Sequence, residues 1–99
     1  MITLEKILNV FADYLAEDQT LEVMELKHGY YVVSWQSLTQ HYEFSNFCPT
    51  LDELANVLTS YYAQNLKYKN YEQEMISDDE KMQRFMEAAN QKKLKCYSV

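Results

Sequence analysis

The chain has 99 residues, 47% hydrophobic and 14% aromatic, enough for a core that removes roughly two thirds of the unfolded surface from water. Its formal net charge is −6. These values argue against dominant disorder and against nonspecific binding of DNA or RNA by the body of the chain, and no apolar run approaches the ~20 residues of a membrane-spanning helix.

The charge is uneven: residues 1–66 carry nine acids against Lys6 and Lys27, a balance of −7, and the remainder carries six acids and seven bases, or +1. A protein partner with a basic or neutral surface is therefore expected, with no direct nucleic-acid contact and no membrane. Glu5 and Asp13 interrupt what a signal peptide would need as an uncharged apolar segment, so the expected location is the cytoplasm. Cys48 and Cys96 form no CxxC pair and read as two reduced thiols. No Pro/Gly/Ser-rich stretch divides the chain, which reads as a single domain over residues 1–99, with 95–99 as a disordered tail.

Thr3 is placed to cap a first helix over residues 3–17, where Leu4, Ile7, Leu8, Phe11 and Leu15 recur at helical spacing. A strand follows from Leu21 to Leu26. Gly29 then closes a hairpin onto the strand Tyr30–Gln36, as a residue tolerating positive φ. A turn at Ser37–Gln40 returns the chain as a third strand from His41 to Phe47. If Leu26 faces Tyr30 and Gln36 faces His41, one sheet face collects Leu21, Val23, Tyr31, Val33, Trp35, Tyr42 and Phe44, which is the expected core side. Trp35 is then a core anchor whose loss should cost about 3–5 kcal/mol. The other face carries Met24, Tyr30 and Val32, an aromatic and aliphatic patch that reads either as ordinary surface or as a face covered by the C-terminal tail, or as a partner interface, most simply in a homodimer.

Pro49 ends the sheet, and Thr50-Leu51-Asp52-Glu53 has the form of a capping box opening a helix to about Tyr68. Ser77-Asp78-Asp79-Glu80 repeats the form ahead of the stripe Met82, Phe85, Met86 and Ala89, with Lys92, Lys93 and Lys95 at the helix end. Residues 69–76 read equally as linker or extra helical turn. The fold class is thus α+β in the order α-β-β-β-α-α: a three-stranded antiparallel meander with helices packed on one face.

Chemistry-bearing patterns are sparse. One glycine cannot supply a phosphate-binding loop, and no cofactor is expected. His28 in a turn and His41 at a strand start read as solvated residues, with no converging ligands to make either a metal or catalytic group. Lys67-Tyr68-Lys69-Asn70-Tyr71 interleaves bases with aromatics but reads as a helix end, because Glu72 and Glu74 reverse the charge at once. Between residues 72 and 80, Glu72, Glu74, Asp78, Asp79 and Glu80 stand without an interposed base. The last three complement a helix dipole; Glu72 and Glu74 precede the cap and suggest an acidic docking patch.

The element order and this carboxylate cluster resemble, at the level of topology and over most of the chain, small acidic phage-encoded anti-CRISPR proteins. That resemblance implies an α+β domain whose carboxylates occupy the DNA-binding surface of a nuclease, and it assigns no individual binding residue here. The residues themselves point to a noncatalytic protein-binding or regulatory domain. The alternative is an acidic nucleic-acid-mimicking inhibitor of a DNA-binding enzyme; a small enzyme comes third.

Overall fold

A computed structural model describes residues 2–17, 20–69 and 78–97. Its elements are α1 (Leu4–Val10), α2 (Ala12–Glu17), β1 (Leu21–Leu26), β2 (Gly29–Gln36), β3 (His41–Cys48), α3 (Leu51–Lys69) and α4 (Asp78–Lys95). This is the α-β-β-β-α-α order and α+β class read from the sequence, with the first helix in two pieces. Thr3 caps α1 by accepting from the Lys6 N–H at 3.1 Å, and Phe11 departs from helical geometry at φ −96°, ψ 10°. Backbone bonds from Phe11 N to Ile7 O (3.1 Å) and from Leu15 N to Phe11 O (2.9 Å) nevertheless carry the ladder across the break. Thr50 caps α3 as expected, its hydroxyl accepting from the Glu53 N–H at 3.2 Å. Ser77, the proposed cap of α4, lies outside the described residues, as does the segment 70–76.

The strands form an antiparallel sheet in the order β1-β2-β3. Between β2 and β3, Gln36 pairs with His41 and Trp35 with Tyr42, as expected, until a bulge between Val32 and Val33 shifts the register by one residue. Between β1 and β2 the expected register is off by one: Leu26 pairs with Gly29, not Tyr30, because Lys27 and His28 alone make the turn. Gly29 therefore belongs to β2. Its need for glycine comes from crowding, since a Cβ there would lie 2.8 Å from both the Cys48 carbonyl oxygen and the Phe47 ring. The one non-glycine residue with positive φ among those described is Gln40, at 53°, in the second turn.

The helices pack on one sheet face, which carries Leu21 and Val23 of β1 as expected, but the β2 and β3 side chains opposite to those expected on the core side. Ile7, Phe11 and Tyr14 from the first helical segment meet Leu54, Ala55 and Leu58 of α3 over Leu21, Val32 and Cys48 of the sheet. Val23 and Tyr30 pack at the margin of this core. α4 lies along α3, with Ala63 and Ala89 buried on them. Cys96, expected in a disordered tail, is fully buried in the core, and the Tyr97 hydroxyl donates to Asp52 on α3. Thr59 satisfies its buried hydroxyl by donating to Ala55 O at 2.7 Å.

The cover is incomplete along the strands. Beyond Val32 the helix-side face turns polar: Ser34, Gln36 and Glu43 form a hydrogen-bonded cluster through the Gln36 amide at 3.2 and 3.3 Å. The β2–β3 hairpin thus projects past the helices, and Leu38 at its tip is 99% exposed.

Candidate functional site: the open face of the sheet

Strand alternation puts Glu22, Met24 and Leu26 of β1, Tyr31, Val33 and Trp35 of β2, and Tyr42, Phe44 and Phe47 of β3 on the face away from the helices. Eight of these nine positions are apolar or aromatic. Tyr31 sits between Phe44 (centroids 5.3 Å apart, edge-on) and Phe47 (5.4 Å), and Trp35 meets Tyr42 edge-on at 4.9 Å. Edge-to-face pairs of this kind order the rings before any partner arrives. Val33, in the centre, is 3% exposed although it lies outside the helix-covered core cluster. Its neighbours on the face hide it.

These neighbours remain open to solvent: Phe44 is 59% exposed, Phe47 48%, Tyr42 45% and Leu26 42%. Single exposed apolar residues are ordinary, whereas a contiguous set on one sheet face is a feature found at interaction surfaces and rarely on isolated monomers. A cleft of about 220 Å³ is bounded by Glu22, Val23, Met24, Val33, Tyr42 and Phe44. It is smaller than the ~300 Å³ at which pockets for small molecules begin, so it suits one inserted side chain. The face carries a single ionisable acid, Glu22, on edge strand β1. The Tyr42 phenol reaches across to hydrogen-bond that carboxylate, and its pKa is pushed up because a phenolate would face Glu22.

Of the residues proposed for a hydrophobic interface, Met24 lies on this open face, but Tyr30 and Val32 do not. Val32 is fully buried under the helices and Tyr30 packs against the same core. The one-residue hairpin offset moves Met24 opposite Tyr31, and the helices take the Val32 side. Conversely, Tyr31, Val33, Trp35, Tyr42 and Phe44, assigned to the core by alternation, share a face as expected but form the open one. Trp35 is half-buried there and is no anchor of the helix-covered core.

Glu72 and Glu74 lie outside the described residues, as do the side chains of Asp78 and Asp79; those two residues open α4, and Glu80 beside them is exposed. Lys67 is exposed near the end of α3; Asn70 and Tyr71 fall outside the described residues. His28 and His41 are exposed at opposite ends of β2, more than ~20 Å apart at the usual rise per strand residue. Both cysteines are free thiols in the core. Burial pushes the Cys48 thiol up, helped by Glu53, and burial likewise raises Cys96 against the pull of Lys6 and Lys92. Neither is poised as a thiolate nucleophile. Among the described residues no helix is long and apolar enough to cross a membrane.

Compared with family models, curated proteins and solved structures, the chain matches none.

Proposed function

We propose that this chain is a noncatalytic protein-binding domain, working in the reducing cytoplasm, that docks its partner on the open aromatic face of the sheet. The observation that supports the reading is the contiguous, preordered set Tyr31, Trp35, Tyr42, Phe44 and Phe47, left uncovered by helices that all lie on the other side. Aromatic residues and Met are enriched, and Lys, Asp and Glu depleted, at the centres of protein interfaces. The cleft beside Val33 offers the kind of central pocket that a partner's anchoring side chain fills.

The test is affinity capture from the native host with the parent and with Phe44→Glu, a change at an exposed position that leaves the core untouched. Loss of a protein retained by the parent, further copies of this chain included, supports the reading. Identical retention by both sinks it. Adding Glu72→Gln/Glu74→Gln separates nucleic-acid mimicry: a nuclease or DNA-binding enzyme lost only from that variant would move the function to the acidic segment.

A further inference from the structure

We propose that the occupant of the open face is a second copy of this chain, stacked sheet on sheet about a two-fold axis. This rests on the open face being a binding face and goes on to name what covers it.

Area and charge both select a second copy. Taking about 200 Å² for a fully exposed aromatic side chain, the exposed fractions of Leu26, Tyr42, Phe44 and Phe47, with the half-buried rings beside them, amount to roughly 500 Å² per face. Two such faces bury about 1,000 Å², the least that a specific interface is expected to clear. A basic partner gains little here: the one carboxylate, Glu22, stands at the margin on β1 and is already engaged by Tyr42. The acids that make the chain −6 lie elsewhere. A neutral apolar face is complemented by another neutral apolar face, and its own copy presents one at equal concentration in the same orientation about a two-fold axis. The product is a four-layer helix–sheet–sheet–helix particle, with sheets ~10 Å apart and each cleft beside Val33 filled from the other protomer.

Because each protomer carries −6, long-range repulsion opposes pairing, so added salt should hold or strengthen the dimer. Attraction to a basic partner would weaken with salt instead.

The experiment is sedimentation equilibrium of the full chain over a wide concentration range at low and high salt. It compares the parent with Phe44→Glu and with Gln64→Glu, which adds the same charge on the exposed side of α3. The expected result is dimer mass for the parent and Gln64→Glu at both salts, and monomer mass with unchanged circular dichroism for Phe44→Glu. A parent that stays monomeric throughout overturns the second copy as occupant; should Phe44→Glu still lose a captured host protein, the face remains a binding face with another partner. A dimer that survives Phe44→Glu, or that dissociates on raising salt, overturns the proposal as well.

Discussion

Trp35 illustrates how much a residue's role depends on which side of the sheet the helices take. It pairs edge-on with Tyr42 and is half-buried, so its removal forfeits a ring contact and part of its area. In a Phe44→Glu background, Trp35→Ala should cost about 1–2 kcal/mol. Phe11→Ala should cost about 3–5 kcal/mol, because Phe11 is fully enclosed. Urea unfolding of the two variants checks the order, and equal losses would contradict the assignment of faces. Gly29→Ala should be strongly destabilising, since the added methyl meets the Cys48 carbonyl as well as a movable ring. The buried thiols give a pH signature. Cys48 and Cys96 both have folded pKa values raised by burial, so their contribution is complete below the ordinary thiol pKa and fades as pH climbs through and beyond it. Tyr97, pushed up to about 12 chiefly by its bond to Asp52, acts in the same direction at higher pH. The urea midpoint should therefore fall between neutral pH and pH ~10, and a Cys48→Ala/Cys96→Ala variant should flatten that fall above pH ~8; an unchanged slope would remove the thiols as its cause.

At the scale of elements, the helices and strands were legible because each carried its own local mark. Thr3 and Thr50 cap helices, period-2 runs flank Gly29, and a polar four-residue turn precedes His41. The register of the first hairpin was not, because Gly29 was counted in the turn when its small size serves the approach of β3. The choice of face was not legible either. Tyr30 and Val32 alternate with Tyr31 and Val33, so both faces of β2 are apolar and alternation alone cannot say which one the helices cover. The polar Ser34, Gln36 and Glu43 on the helix side mark only the part of that face that overhangs. Contacts that close α4 onto the rest are long-range and have no local signature. Lys92 bridges to Asp13 at 2.9 Å, with its ammonium 5.1 Å from the Tyr62 ring centre and 6.0 Å from that of Phe11. The Lys92 hydrogen bond holds Asp13 below the usual carboxylate value, so this stabilisation is present above that value and lost as pH falls through the lowered one. Lys92→Met keeps the packed stem and removes the charge; it should cost about 0.5–1 kcal/mol at neutral pH and less once Asp13 is protonated, when only the ammonium–ring contacts are left to lose. Thermal melts at neutral pH and at successively lower pH check both halves of that expectation.

For the whole molecule, the decisive feature is one-sidedness. A three-stranded sheet gains independent stability from a layer packed on one face, and that layer is supplied by α1, α2 and α3, with α4 laid along α3. The other face is left with its rings already paired among themselves and with one carboxylate at the margin. The sequence contains one tryptophan, and it stands on that face. The most direct measurement is therefore the emission of Trp35 and its quenching by acrylamide as protein concentration rises, in the parent and in Phe44→Glu. The parent should shift to shorter wavelength and become shielded with concentration, and Phe44→Glu should stay red-shifted and open at every concentration. Emission that is blue-shifted and shielded at the highest dilution in both proteins would place Trp35 in the core and contradict the open face.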